Sequence, residues 1–212
     1  MNIEIRNETE KDFREVEELT REAFWNLYFP GCNEHYLVHQ MRSHPDFIKE
    51  LDLVAEYNGK IVGNIMYTKA WLIDEAGQEL EILSFGPLSV LPEYQRRGVG
   101  SALVDHTKIA AQKMGIKCIV IYGDPNNYCK HGFKNGKDLN ISDMNGEYPH
   151  AMLALALDEQ ALAGQPWKFK YSDVCNINDA DAEEFDKGFS PKEKGYKYSQ
   201  DIFSIAIRSY LK

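Results

Sequence analysis

Residues 89–103 read SVLPEYQRRGVGSAL and decide the fold class of this chain. They connect an apolar, strand-like run over residues 82–91 to a helical pattern over residues 101–114. The turn between the two contains two arginines and two glycines. The first N–H groups of a helix lack an intrahelical acceptor and the helix dipole adds positive charge there, so a phosphate binds favourably. The pattern therefore predicts a phosphate-binding turn, with a plain turn bearing solvated arginines as the open alternative.

Two other phosphate-binding motifs are excluded by the same residues. The sequence contains no Gly-x-x-x-x-Gly-Lys-Ser/Thr, so an ordinary P-loop is absent. Gly98-Val99-Gly100 does not extend to a dinucleotide fingerprint, because Leu103 stands where the third glycine belongs. Residues 95–100 match a different pattern, Gln/Arg-x-x-Gly-x-Gly/Ala.

That pattern resembles the signature of the GNAT superfamily of acyl-CoA-dependent N-acetyltransferases, and QRRGVG matches it at every specified position. The resemblance covers roughly residues 1–157 and is closest to the bacterial YhbS-like members. It implies an α/β (α+β) fold with a mixed central sheet that is splayed at the cofactor strand and flanked by helices. We expect residues 1–160 to form this domain and residues 161–212 to be an extension packed on it.

The resemblance also implies acetyl-CoA or coenzyme A as the bound cosubstrate. Gly86-Pro87 would interrupt the pairing of the cofactor strand, because proline lacks an N–H and glycine often marks a bulge, and the gap leaves room for the cofactor. The N–H of Leu88 is the predicted donor to the thioester oxygen. Asn126 and Asn127 are as typical of an ordinary turn as of a binding site. The residues predicted to bind the cofactor are Leu88, Ser89, Val90, Gln95, Arg96, Arg97, Gly98, Val99, Gly100, Ser101, Asn126 and Asn127.

The catalytic candidates lie on either side of this turn. The resemblance assigns the proton donor for the departing thiolate to Tyr128, four residues before Gly132-Phe133. A phenol stays protonated at neutral pH, which suits this role, and a packing aromatic is the alternative. Glu79 and Glu81 share one face of a strand by alternation, so either is a candidate general base, with a solvated hairpin edge as the alternative. Ser84 on the same strand is a candidate for positioning the amine or a water molecule.

The resemblance implies that a group of aromatic residues forms the wall of the acceptor site. The alternative is that these residues only pack in the core. The members of the group are Phe24, Trp25, Tyr28, Phe29 and Tyr36. The histidines indicate no metal, because only His35 and His39, and not His44, share a helical face and no HExxH motif occurs. His131, close to Tyr128, is interpreted as a packing or surface residue.

Composition excludes several classes of protein. A net charge of −9 argues against nucleic acid as the main partner, because phosphate contacts need concentrated lysine and arginine. No run approaches the roughly 18 apolar residues of a membrane helix, and the first residues lack a signal-peptide core, so a cytoplasmic protein without membrane association is predicted. The four cysteines form no CxxC pair and are expected to be free thiols. They are Cys32, Cys118, Cys129 and Cys175.

The remaining pattern alternates strands and helices. Thr9 is the predicted N-cap of the first helix, with Asp12 completing a capping box. Residues 189–197 are polar and are predicted to form an exposed loop, and residues 200–208 fit either a strand or a helix. Strands are predicted at 2–7, 51–57, 60–73, 79–91, 116–122, 151–157 and 167–171, and helices at 34–43, around 128 and at 179–187.

These observations together predict direct transfer of an acetyl group from acetyl-CoA to a primary amine through a tetrahedral intermediate. The acceptor is a small molecule or a peptide. Two alternatives remain open: a non-catalytic acyl-CoA-binding regulatory protein and an acyltransferase for longer acyl chains. The protein is predicted to be a monomer or a homodimer, with the extension either capping the acceptor cleft or supporting the dimer.

Overall fold

The computed structural model describes all 212 residues and contains one large mixed sheet. The strands are β1 (Glu4–Asn7), β2 (Leu53–Tyr57), β3 (Lys60–Ile73), β4 (Glu79–Val90), β5 (Cys118–Tyr122), β6 (Lys134–Asn135), β7 (Ile141–Ser142), β8 (Tyr148–Pro149), β9 (Met152–Ala156), β10 (Trp167–Lys170) and β11 (Tyr210–Leu211). Nine of them form the main sheet in the order β1-β2-β3-β4-β5-β9-β6, with β10 paired to β3 and β7. β8 and β11 form a separate two-stranded sheet.

Helices cover both faces of the main sheet. They are α1 (Phe13–Phe24), α2 (Glu34–Met41), α3 (Val99–Lys113), α4 (Pro125–Tyr128), α5 (Glu159–Leu162), α6 (Asp179–Asp186) and α7 (Tyr198–Ala206). On one face, Ser89 of β4 donates a hydrogen bond to Thr20 of α1 at 3.0 Å. On the opposite face, the hydroxyls of Tyr67 on β3 and Thr107 on α3 lie 2.8 Å apart. A Cβ at Gly63 would lie 2.8 Å from the Val99 side chain, so glycine permits α3 to pack closely on β3.

The splayed sheet that the resemblance implies is present at β4. The register of β3 and β4 shifts where Gly86 and Pro87 together face the single residue Met66, which is the predicted bulge. β4 and β5 run parallel and are paired only at Leu83 and Ile119. Past Leu83 the two strands therefore diverge, and the edge of β4 that faces β5 is free to bind another extended group.

Several helix boundaries differ from the prediction. Thr9 is not the N-cap, because the Asp12 carboxylate instead accepts bonds from the Thr9 N–H and hydroxyl at 2.8 and 2.7 Å, and α1 begins only at Phe13. α2 ends at Met41, earlier than predicted. α3 begins at Val99, two residues earlier than predicted, because Gly98 adopts a left-handed conformation with φ of 89°.

The last part of the chain wraps around α1 and α2. The ambiguous segment at residues 200–208 is largely helical, as α7. Residues 189–197 form a loop that is mostly exposed, as predicted, but Phe189 is buried and the Trp25 indole N–H donates to the Glu193 carbonyl at 2.9 Å. β10 also adds a strand to the main sheet, so residues beyond 160 contribute to the core.

No helix of this protein has the length and apolar character that a membrane crossing requires. The four cysteines are all free thiols, as predicted.

Candidate active site

The turn between β4 and α3 has six successive backbone N–H groups, from Arg96 to Ser101, with no acceptor in the protein. Arg96 and Gly98 are both left-handed, with φ of 60° and 89°, in the alternating arrangement typical of anion-binding concavities. The first helical bond of α3 runs from the Ala102 N–H to the Gly98 carbonyl at 2.9 Å. The turn thus combines free donors with the positive end of a helix dipole.

The charged and small residues of this turn have little role in packing. Arg96 and Arg97 are exposed and neither is within ion-pair distance of a carboxylate, although Arg97 lies 5.8 Å from the centre of the Tyr94 ring. A Cβ at Gly100 would make only ordinary contacts, 3.7 Å from Leu88 and Val90. The packing of the protein does not require glycine there, so close approach of a ligand is the better explanation.

The strand before the turn presents mainly its backbone to the gap. The Ser89 side chain is fully buried against Thr20 of α1, so it points away from the gap and only its main chain is available. The Gln95 side chain donates to the Val90 carbonyl at 3.0 Å and braces the start of the turn. Leu88 pairs with Ile65 immediately after the bulge.

Tyr128 lies at the end of α4, against the splayed part of the sheet. Its ring packs on Phe85 and Phe133, with centroid distances of 5.6 and 5.9 Å. Its hydroxyl has no hydrogen-bond partner in the protein yet is not sealed from solvent. Burial raises the pKa of Tyr128 well above its ordinary value, and interactions with Tyr28 and Asp124 act in the same direction. The phenol is therefore protonated throughout the neutral range.

Gly123 makes room for the Tyr128 ring, a role that sequence reasoning missed. A Cβ at this position would overlap the ring atoms of Tyr128. Glycine before an Asp-Pro turn is unremarkable in a sequence, so no local signal marks it. Its importance follows only from the side chain that the fold places over it.

The two asparagines of α4 differ in their contacts. Asn126 donates its backbone and side-chain N–H groups to Asp124 at 2.9 Å each, so it takes part in the cap of α4. The Asn127 side chain has no partner in the protein and is exposed. Of the two, Asn127 is the one free to contact a ligand.

The candidate bases on β4 lie away from Tyr128. Glu81 is four residues from Phe85, about 13 Å along the strand, and pairs with Lys69 at 2.9 Å. Glu79 is further along and lies 3.8 Å from Lys170. The buried residue Ser84 has a hydroxyl without a protein partner that is not sealed from solvent, so it is available to position an amine or water.

A carboxyl group that sequence reasoning missed lies at the start of α2. Burial raises the pKa of Glu34 to about 7, although backbone hydrogen bonds to the carboxylate oppose the shift. Its charge, second to burial, helps to raise the pKa of Tyr28 to about 12, and Asp124 contributes in the same direction. Nothing in the local sequence distinguishes Glu34 from an ordinary acidic residue in a first helical turn.

The predicted aromatic wall divides between two roles. Trp25 is buried and bonded to Glu193, and Tyr36 packs 5.4 Å from Phe185, so both contribute to the core. Phe24 and Tyr28 pack together at 5.8 Å. Tyr28 is the member of this group that contributes to the raised pKa of Tyr128. Phe29 is exposed.

The histidines have structural partners. His131 lies 2.8 Å from Asp105 of α3 and is nearly buried, as predicted for a packing residue. His39 lies 2.9 Å from Glu17, and His44 lies 3.7 Å from Asp46. No three His, Cys, Asp or Glu side chains are grouped in a way that would hold a metal ion.

Comparison with known sequences finds similarity to acetyltransferases in the central part of the chain. Residues 50–135 match the sequence model of the acetyltransferase (GNAT) domain. YjhQ, an uncharacterized N-acetyltransferase of Escherichia coli strain K12, is 37% identical over 84 residues, which are 40% of this chain and 46% of YjhQ. YhbS, an uncharacterized N-acetyltransferase of the same strain, is 28% identical over 114 residues, which are 53% of this chain and 65% of YhbS. The matched regions cover less than two thirds of either relative.

Solved structures confirm the fold. The crystal structure of Escherichia coli YhbS in complex with CoA has a TM-score of 0.70 and 24% identity, and the match covers 84% of this chain and 93% of that one. A GNAT family acetyltransferase of Brucella melitensis in complex with acetyl-CoA has a TM-score of 0.65 and 23% identity, over 82% of this chain and 98% of that one.

Proposed function

We propose that the chain transfers an acetyl group from acetyl-CoA to a primary amine, because residues 50–135 match the acetyltransferase (GNAT) domain and the chain has the GNAT fold. The observation that carries the proposal is the turn of six unpaired N–H groups from Arg96 to Ser101 beside a splayed strand. Two relatives of the same fold contain CoA and acetyl-CoA.

In this proposal the turn binds the phosphates of the cosubstrate. The free N–H groups donate to phosphate oxygens, and the exposed Arg96 and Arg97 add charge in a planar geometry that suits phosphate. The extended arm of the cosubstrate lies along the free edge of β4 past Leu83, where no strand competes for its backbone groups. The N–H of Leu88 is the proposed donor to the thioester oxygen.

The chemical step requires a neutral amine and a protonated leaving group. The amine nitrogen attacks the thioester carbon, the carbonyl electrons move to oxygen, and their return breaks the carbon–sulfur bond. The nitrogen loses a proton to a base or to water, and the thiolate takes one from Tyr128, which regains it from water. Burial disfavours the phenolate form of Tyr128, so Tyr128 takes up this proton before the next turnover begins.

The base is the least constrained part of the proposal. Glu79 and Glu81 remain candidates, but they lie on an exposed strand end, 3.8 Å from Lys170 and 2.9 Å from Lys69. A water molecule bound by Ser84 is the other candidate, because the Ser84 hydroxyl has no protein partner and is not sealed from solvent. A cytoplasmic location and a monomeric or homodimeric state also stay predictions.

The proposal is tested by thiol release from acetyl-CoA against a panel of polyamines, aminoglycosides, amino acids and lysine peptides. We expect turnover with at least one amine, and we expect Tyr128→Phe to lower kcat about a hundredfold while acetyl-CoA affinity is kept. Tyr36→Phe, a half-buried tyrosine packed on Phe185, is the matched control. Acetyl-CoA binding without transfer to any amine would instead favour the non-catalytic, acyl-CoA-binding alternative.

A further inference from the structure

Tyr128 lies at the end of a segment that is too short to hold its own position. α4 has four residues, and a helix of one turn is not stable without contacts outside itself. At its start, the Asp124 carboxylate accepts bonds from the backbone and side-chain N–H groups of Asn126 at 2.9 Å each. At its end, the chain continues through one turn of 3-10 helix (Cys129–His131) and leaves it at Gly132 with a φ of 94°. The position of the Tyr128 ring therefore depends on what holds this second end.

The second end is fastened to α3 through His131. The His131 Nδ1 lies 2.8 Å from Asp105 Oδ1, and the Lys108 ammonium donates to the His131 carbonyl at 3.2 Å. A carboxylate only accepts hydrogen bonds, so Nδ1 carries the hydrogen in the first contact. His131 is nearly buried, and Asp105 has no other charged group within ion-pair distance. The ring and the carbonyl of one residue are thus held by two side chains one turn apart on α3.

This attachment reaches the Tyr128 ring through residues adjacent in the chain. His131 follows Tyr128 by three residues and precedes Phe133 by two. The Phe133 ring packs on the Tyr128 ring with centroids 5.9 Å apart. A displacement of His131 would therefore act on the tyrosine from both sides, through its own segment and through its packing partner.

The helix that holds this segment is also the helix that begins in the proposed phosphate-binding turn. Asp105 lies four residues after Ser101, which is about 6 Å along the helix axis. One continuous helix thus connects the free N–H groups of residues 96–101 with the segment that carries Tyr128. The distance between the two matters, because the phosphates and the thioester belong to the same cosubstrate molecule.

We propose that Asp105, Lys108 and His131 are positioning residues, and that the two α3 side chains act through His131 to hold Tyr128 at the thioester. This inference rests on the proposed acetyltransferase function. It adds the residues that fix the proton donor relative to the phosphate-binding helix. Their role requires no contact with the reacting atoms.

The test measures kcat and the KM for acetyl-CoA in Asp105→Ala, in Tyr128→Phe and in the double variant of the full-length protein. We expect Asp105→Ala to lower kcat about tenfold and to change the KM for acetyl-CoA less than about twofold. In the Tyr128→Phe background the same substitution should lower kcat less than about twofold, because no hydroxyl is left to position.

Three further variants separate the contact from general effects on the helix. Asp105→Asn keeps an acceptor of the same shape and should retain a kcat within about threefold of wild type. Lys108→Met removes the donor to the His131 carbonyl and should lower kcat in the same direction as Asp105→Ala. His106→Ala, at the neighbouring exposed position of α3, is the control and should change neither kcat nor KM.

Amide hydrogen exchange tests the same attachment without turnover. The Gly132 N–H is bonded to the Cys129 carbonyl at 3.0 Å and the Asn127 N–H to the Asp124 carbonyl at 2.9 Å, so both report opening of the segment. We expect exchange at these two amides to be about tenfold faster or more in Asp105→Ala and unchanged in His106→Ala.

The same fold loss of kcat in the wild-type and Tyr128→Phe backgrounds would show that Asp105 does not act through the tyrosine. That result, an unchanged kcat or unchanged exchange in Asp105→Ala would overturn the inference and leave the proposed function standing. Absence of turnover with every amine, or failure of the wild type to bind acetyl-CoA in a calorimetric titration, would instead overturn the proposed function, and the inference with it.

Discussion

At the scale of single residues, the position of Tyr128 depends on neighbours that carry no chemistry of their own. Phe85 and Phe133 fix its ring from two sides, and Gly123 leaves the space that the ring occupies. A reacting group is useful only where its atoms meet the substrate, and a displacement of about 1 Å can cost a hundredfold in rate. If Tyr128 is the proton donor that we propose, Gly123 is a positioning residue that acts through it.

We predict that Gly123→Ala lowers kcat at least tenfold, because the added methyl group pushes the Tyr128 ring away from the thioester. The KM for acetyl-CoA should change little, since the phosphate-binding turn is not touched. Steady-state kinetics with both substrates measure the two effects separately. Gly195→Ala, where a Cβ meets only the Asn26 side chain at 3.9 Å, is the control. A normal kcat in the Gly123 variant would contradict this role.

At the scale of elements, the proposed phosphate site is created by the way β4 joins α3. Gly98 turns the chain through a left-handed conformation so that α3 starts at once and its first N–H groups remain free. The bulge at Gly86 and Pro87 and the early divergence of β4 from β5 leave the strand edge free beside it. In the proposed cosubstrate site, each of these elements thus contributes through its backbone.

Gly98→Ala should weaken acetyl-CoA binding about tenfold or more, because alanine resists a φ of 89° and distorts the free N–H groups. The free energy of unfolding should fall by about 1 kcal/mol. Gly77→Ala is a matched control, since Gly77 has a φ of 80° and equally open surroundings but lies in the β3–β4 hairpin. Calorimetric titration with acetyl-CoA and denaturant unfolding test both variants. An equal loss of acetyl-CoA affinity in the Gly98 and Gly77 variants would contradict this prediction.

At the scale of the whole molecule, a buried polar cluster joins the C-terminal part to the first two helices. Arg21 of α1 makes two bonds to the Asp186 carboxylate of α6, at 2.6 and 3.1 Å. His35 of α2 is fully buried, and its Nε2 lies 3.0 Å from the same carboxylate. Arg21 already balances the charge of Asp186, and burial lowers the pKa of His35 to about 4. The histidine is therefore neutral in the folded protein at pH 7.

The pH dependence of stability follows from His35. Its pKa is 6.5 in the unfolded chain and about 4 in the folded protein, so between these values the unfolded chain binds more protons and stability falls as the pH falls. The contribution is fully present above pH 6.5 and should drop by about 3 kcal/mol by pH 4. Denaturant unfolding of wild type and His35→Asn over this range should give a smaller loss of stability in the variant. The exposed His106 provides the control, His106→Asn. Parallel pH profiles for wild type and His35→Asn would contradict the prediction.

Much of the fold and the backbone part of the candidate site could be predicted from local sequence. QRRGVG at residues 95–100 predicted the turn, the helix after it and the superfamily, because a turn that exposes successive N–H groups needs glycine at a left-handed position. Gly86-Pro87 predicted the bulge because proline cannot donate to a sheet ladder. These features depend on residues adjacent in the chain, where backbone sterics and missing donors act directly.

Tertiary structure alone decided the contacts between the first two helices and the C-terminal part of the chain. Tyr28 meets Phe203 and Arg21 meets Asp186 only when segments more than 100 residues apart pack together. The raised pKa of Glu34 likewise depends on burial in the folded protein. The space below Tyr128 likewise depends on which side chain is folded over Gly123. Each of these features depends on residues that are neighbours in space: a pKa shifted by burial, a stacked ring or an overlap of atoms. Because those residues are distant in the sequence, local sequence patterns do not predict the features.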